Sequence, residues 1–221
     1  MAAELREKVA HIVKGLDRYN PENLPILEKY VVLTASENLY DLEAYLAVLK
    51  TYQFRPSLFN ENIAVLVFLK ALTNLPHSDF TLCKCILDLG KLAQLIEEPF
   101  AKILALSELL ETCQFDLFWN SLDAISDRLL NIKGFEDSIR KFVCHVIGIT
   151  FQVIKKSELK ILLGGLTESQ VNQWIATNKW KDKGDGYVFI ANQEVNIKTK
   201  NISEKITFEG VAAVMQLATN Q

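Results

Sequence analysis

The side chains best suited to bind a metal or carry thiol chemistry gather in LPHSDFTLCKC, residues 75–85, where His77, Asp79, Cys83 and Cys85 fall close together. Thiolates with an imidazole and a carboxylate are a zinc donor set, and paired thiols can also work as a redox couple. The spacing argues against both. On a helix, residues two apart lie about 200° around the axis, so the sulfurs of Cys83 and Cys85 point away from each other. One tetrahedral ion could hold both only if the helix unwound. His77 precedes the helix start and lacks the i, i+4 partner that a helical zinc site uses. Both cysteines are therefore expected as small buried apolar residues.

The remaining candidates are weaker. Cys144 and His145 are adjacent, about 100° apart on a helix, with no third group to orient the imidazole. His11 sits among charged neighbours and is expected at the surface. Glu97 and Glu98 suit a helix start, where carboxylates complement the dipole. Gly164-Gly165 fits a helix C-cap and turn better than a phosphate loop. No phosphate-loop, dinucleotide or HExxH pattern occurs. No catalytic residue, cofactor site or metal site is expected, and the chain is expected not to be an enzyme.

With 221 residues, the chain can bury a core without help from metals or disulfides. Apolar residues at 49% and charged residues at 23% are ordinary globular proportions. A net charge of −3 argues against a chain built mainly to hold nucleic acid. MAAELREKVAHIVKGL lacks the apolar centre of a signal peptide, and the longest apolar run, IAVLVFL (63–69), is far too short to span a bilayer. A soluble, cytoplasmic protein with reduced cysteines is the expectation, with the nucleus as a second compartment.

The elements that must position these groups read as successive helices over residues 1–133. Leu5, Val9, Ile12, Val13 and Leu16 share one helical face. NPENLP (20–25) breaks that helix, and Asn20 or Asn23 can cap the next, whose face is Leu24, Leu27, Tyr30 and Val31. Leu42, Tyr45, Leu46, Leu49 and Tyr52 mark a third helix; residues 63–72 form a fourth, after a loop ending in an Asn60 cap. Ser78 is placed to cap the helix of the opening stretch, and Phe80, Cys83, Ile86, Leu87 and Gly90 form one face against Leu82, Cys85 and Leu89 on another. Such a helix should be buried between neighbours. Further helices are expected at about 99–113 and 115–130, with Phe115, Phe118 and Trp119 wedged against the preceding one. No fixed repeat period survives, so any repeats are degenerate.

The pattern changes at Asn131 to Gly134. Phe135, Ile139, Phe142, Val143, Val146, Ile149 and Thr150 make a long amphipathic helix; FQVIK (151–155) is a short strand; Ser157 caps a brief helix. Thr167 and Gln170 fit a capping box, with Leu166 and Val171 as a hydrophobic staple. KDKGDG (181–186) is a turn, YVFIA (187–191) a strand, and a last helix runs from about 208 to 218. This order is a helix-turn-helix with a β-wing. The fold class is thus mainly α: a degenerate HEAT/TPR-like helical-repeat domain over 1–133, then a winged-helix domain over 134–221 with a small β-hairpin wing and a C-terminal helix.

A DNA-reading second helix should present basic residues. Glu168 to Asn178 offers Gln170, Asn172 and Gln173 and no base. Residues 134–221 hold 11 Lys+Arg against 9 Asp+Glu, a net of +2, whereas residues 1–133 carry −5. That is weak for phosphate binding. Lys179, Lys181 and Lys183 near the wing, with Lys198 and Lys200, are the candidates for an RNA backbone contact; a solvated turn is the plainer reading.

GLDRYNPENL, DLEAYLAVLKTYQF, KALTNLPHSDFTLCKC, LLETCQFDLFWNSLD and GFEDSIRKFVCHVIGIT together resemble the subunit k family of eukaryotic translation initiation factor 3, across most of residues 15–154. Phe151, Ile154, Leu159, Leu162, Leu166, Thr167, Val171, Trp174 and Ile175 stand in a pattern similar to the winged-helix half of PCI domains, found in the proteasome lid, the signalosome and this initiation factor. The resemblance implies a non-catalytic subunit of a large assembly working on the small ribosomal subunit, next to a sibling PCI subunit such as subunit l. It implies no membrane partner and no small-molecule substrate. The partner surface is expected to include the last helix. Phe208, Val211, Ala212 and Met215 fall at i, i+3, i+4 and i+7, while Val214 and Leu217 form a second apolar face.

Overall fold

The computed structural model describes residues 2–87, 98–194, 211–212 and 215. Residues 1–191 make up one compact unit and residues 192–221 a second. The first is mainly helical and ends in a small three-stranded sheet.

Helix α1 (Ala2–Lys14) buries Val9, Ile12 and Val13. Leu16, expected on the same face, lies beyond the helix in a 3₁₀ turn (Leu16–Tyr19) and is exposed. Gly15, at φ −101° and ψ −174°, has already left helical geometry, so the period is lost there. Asn20 accepts a bond from the Glu22 N–H and caps a second 3₁₀ turn (Pro21–Asn23) rather than the following helix. Helix α2 (Leu24–Ser36) then starts with Pro25 in its first turn, where the missing N–H is harmless. It buries Leu24, Leu27, Tyr30 and Val31 as their spacing predicts. Helix α3 (Leu42–Phe54) is capped by Asp41, whose carboxylate accepts from the Ala44 N–H at 3.2 Å. Helix α4 (Glu61–Leu72) is buried on almost every side, and its neighbours α2, α3, α5 (Asp79–Ile86) and α6 (Phe100–Glu111) surround it. Asn60 takes the extended cap backbone without a side-chain bond.

Aromatic edges lock this stack. Phe68 of α4 meets Phe80 of α5 and Phe100 of α6, both T-shaped at 5.5 Å between centroids. A polar network runs beside them: Tyr40 donates to Asp79 Oδ2 at 2.6 Å, Asn74 donates to the same oxygen at 2.6 Å, and Tyr45 donates to Thr34 at 3.0 Å. Burial, then the Asp79 charge, raises the Tyr40 phenol above its ordinary pKa.

The long helix expected over 115–130 is broken. Helix α7 (Phe115–Ser121) passes into a 3₁₀ turn (Leu122–Ile125) and a single turn α8 (Ser126–Leu129). Ile125, at φ −126°, has left helical geometry, and Ser126 and Asp127 are weak interior helix formers. Leu130, exposed to solvent, provides no apolar anchor to carry the helix onward.

Helix α9 (Phe135–Thr150) matches its predicted span and buries Phe135, Ile139, Phe142, Val143 and Ile147. Strand β1 (Val153–Lys155), α10 (Lys156–Leu162), α11 (Glu168–Thr177), β2 (Lys181–Asp182) and β3 (Tyr187–Phe189) follow. Ser157 lies inside α10 and Lys155 occupies the cap position, because β1 runs directly into the helix. The segment expected as a turn contributes β2, so the sheet has three strands in the order β1-β3-β2, all antiparallel. Ile154 pairs with Val188 and both are buried, which fixes the inner face of the sheet.

Candidate partner-binding surfaces

The structure separates the groups of the opening stretch. Asp79 is buried and held by Tyr40 and Asn74. Cys83 is buried, and burial with the nearby Asp79 charge pushes its thiol up to about 12, far from a reactive thiolate. Cys85 is exposed, contrary to the expectation that both cysteines lie inside. The eight-residue α5 packs only its Phe80–Cys83 face on α3 and α4, so Leu82 and Cys85 are left at the surface. Ser78 does not cap this helix by its side chain: at φ −78°, ψ 14° it lacks the extended backbone that aims a hydroxyl at the first turn. Cys144 is buried, with its thiol raised to about 12 by burial, while His145 is exposed, so the fold turns the two apart. Among the described residues no group of three His, Cys, Asp or Glu is placed to hold a metal ion, and no helix is long and apolar enough to cross a membrane.

What is well built is the winged-helix geometry. Gly164 and Gly165, at φ +87° and +70°, close α10, and their N–H groups donate to the Ile161 and Lys160 carbonyls. Thr167 and Gln170 form the complete capping box of α11. Arg140 of α9 lies 5.1 Å over the Trp119 ring and donates to the Leu163 carbonyl, to Asp137 and to Glu136. A cleft of about 370 Å³ opens beside it, lined among others by Asn38, Lys141, Gln173 and Trp174. Within it Arg140 is already matched by two carboxylates.

The outer face of the sheet is mixed. Val153 is opposite Phe189, Lys155 opposite Tyr187, and Lys181 is also paired with Phe189. Lys179, Lys181 and Lys183 are exposed, as expected of solvated lysines. Lys183 bends its ammonium back over the Phe189 ring at 5.6 Å. Asp182 pairs with Lys156; that ammonium and the Gly184 N–H hold its carboxyl below the usual range. Lys198 and Lys200 lie outside the described residues.

In the second unit, residues 211, 212 and 215 are helical, inside the span expected for the last helix. Val211 is 43% and Met215 65% exposed, one turn apart, with Ala212 half-buried between them. Phe208, Val214 and Leu217 lie outside the described residues.

The CSN8/PSMD8/EIF3K family matches residues 58–201, from the approach to α4 past strand β3. The chain belongs to the CSN8/PSMD8/EIF3K family. Within it, the chain is 52% identical over 215 residues to eukaryotic translation initiation factor 3 subunit K of Bos taurus and to that of Homo sapiens, in each case over 97% of both chains. It is 50% identical over 218 residues to subunit K of Danio rerio, covering 99% of this chain and 97% of that one.

In this member of the CSN8/PSMD8/EIF3K family, sequence reasoning missed several exposed apolar residues on and beside the wing. Phe151, Val153, Ile161 and Tyr187 are all exposed. The signal was the alternation in β1: Ile154 faces in, so Val153 must face out.

Proposed function

We propose that the chain is a non-catalytic scaffold subunit of a eukaryotic translation initiation factor 3 complex, acting in initiation on the small ribosomal subunit through protein contacts. In this reading residues 1–133 are the helical-repeat part and residues 134–221 the winged-helix part. The observation that carries it is full-length similarity to proteins named as subunit K of that factor. The exposed apolar residues of the wing and of the last helix supply a means: they are surface that another subunit can cover. A sibling PCI subunit such as subunit l is the proposed neighbour. The test is affinity purification of the tagged full-length chain followed by mass spectrometry. Other subunits of the factor in near-stoichiometric amount are expected; recovery of the chain alone at physiological salt contradicts the reading.

The alternative is a wing that contacts RNA within the same or a related assembly. Exposed Lys179 and Lys181 favour it, since no carboxylate among the described residues pairs with either. It requires RNA affinity that falls steeply with salt and weakens when Lys179, Lys181 and Lys183 become Glu. Absence of RNA binding at low salt rules it out.

A further inference from the structure

At the far end of the sequence from the wing, the 3₁₀ turn Leu16–Tyr19 packs on α3, and so does a further 3₁₀ turn, Pro56–Leu58. Four large apolar side chains remain exposed on these elements: Leu16 at 87%, Phe54 at 69%, and, less fully, Tyr19 and Leu58. Two of them meet. Tyr19 and Phe54 form a T-shaped pair at 6.3 Å, and the Arg18 guanidinium lies 5.0 Å over the Tyr19 ring. Stacked there, Arg18 buries its Nε without a hydrogen-bond acceptor.

The charge on the same elements is one-sided. Lys14 precedes the first turn, Lys50 stands one helical turn before Phe54, and Arg55 follows it. Among the described residues none of Lys14, Arg18, Lys50 and Arg55 is paired with a carboxylate, although ion pairs form elsewhere, at Lys102–Glu98 and Arg140–Glu136. The carboxylates on the two turns and α3 are Asp17 and, at the opposite end of α3 from Phe54, Glu43. A chain with net charge −3 thus carries four cations without a carboxylate partner on the elements that bear its exposed Tyr-Phe pair, one of them stacked on it.

We infer that this surface, built on Leu16, Tyr19, Phe54 and Leu58 with Lys14, Arg18, Lys50 and Arg55 on the same or flanking residues, is a docking site for an acidic protein segment with interspersed aromatic or aliphatic residues. Unmatched cations call for carboxylates, and Leu16 and Leu58 call for apolar side chains. A single-stranded nucleic acid would use the ring faces, but Arg18 already covers Tyr19, and two aliphatic residues offer it no stacking partner. The site is built on other elements than the wing, so it stands or falls separately from the wing's role.

The experiment places a photo-crosslinking phenylalanine analogue at position 16, or at position 58, in the full-length chain, and maps the crosslinked peptide after purification from cells. The expected product is one segment of another protein, rich in Asp or Glu and carrying Phe, Leu or Ile. Arg18→Glu with Arg55→Glu should cut its yield about tenfold or more. Reversing the acids of that segment to Lys should restore capture by the charge-reversed chain. Circular dichroism of the double variant should be unchanged, since neither substitution enters the core. Crosslinks to RNA, to a second copy of this chain, to residues 195–221 of the same chain, or to a segment without acidic excess would overturn the inference. So would no crosslink at either position, or capture indifferent to the charge reversal.

Discussion

Trp119 donates its indole N–H to the Leu162 carbonyl oxygen at 2.9 Å, tying α7 to the last turn of α10 across 43 residues of sequence. The same ring receives the Arg140 guanidinium and stands 2.8 Å from where a side chain on Gly164 would begin. One indole therefore joins α7, α9 and the turn that closes α10, so the helical stack and the start of the winged helix share a packed seam.

Trp119→Phe keeps most of the ring and removes the donor, leaving the Leu162 carbonyl unsatisfied; the expected loss is about 1–2 kcal/mol in urea unfolding. Gly164→Ala should cost at least as much, about 2 kcal/mol. It places an L-residue at φ +87° and drives its Cβ into a ring that cannot retreat without breaking the Leu162 bond. Unfolding midpoints unchanged within error for both variants would mean that the seam contributes nothing.

Asp79→Ala removes the acceptor shared by Tyr40 and Asn74 in a buried setting. Bonds to an ionised group are the stronger kind, and both donors would be orphaned, so a loss of about 2–4 kcal/mol is expected. For a chain of this size that is a fall in Tm of about 5–15 °C by differential scanning calorimetry.

Lys70 is 1% exposed on α4, and among the described residues its amine has no carboxylate partner. Burial lowers its pKa from the ordinary value. A lysine with a depressed folded-state pKa binds fewer protons folded than unfolded between that pKa and about 10.5, so stability rises with pH across this window. Lys70→Met should therefore stabilise the protein by about 1 kcal/mol or more at neutral pH. The gap between variant and parent should close as pH rises towards 10. A destabilised Lys70→Met variant would show that the ammonium is compensated.

Much of this fold was legible because its determinants are local. The face Leu24, Leu27, Tyr30, Val31 repeats every turn, and both bonds of the Thr167–Gln170 box close within four residues. Burial of Cys85 was misjudged because an eight-residue helix is covered on whichever face its neighbours reach, and α3 and α4 reach only the Phe80–Cys83 side. Tyr40 meeting Asp79, Trp119 meeting Leu162 and Lys70 sinking into the stack depend on partners dozens of residues away, which no period reveals. Val153 and Tyr187 needed the register of β1 on β3 to be seen on one outward face.

If assembly runs on apolar surface rather than on wing charge, Lys179→Glu with Lys181→Glu and Lys183→Glu should leave incorporation into the complex unchanged. Val153→Glu with Tyr187→Glu, on the same sheet, should reduce it severalfold, because each change sets an unpaired charge in the contact. Both sets lie at the surface, so thermal stability should move little. Loss with the lysine set alone would favour the RNA-contacting wing.

The central claim is that exposed apolar side chains hold this chain in its assembly, and the last helix tests it most directly. Full-length chain and Val211→Glu with Met215→Glu are each expressed with a tag, and co-purified initiation factor 3 subunits are quantified against bait. The account predicts that the double variant loses at least about nine-tenths of its partners, roughly 1.4 kcal/mol or more of binding, while its circular dichroism stays that of the parent. Equal recovery of partners by parent and variant, with both chains folded, would contradict it.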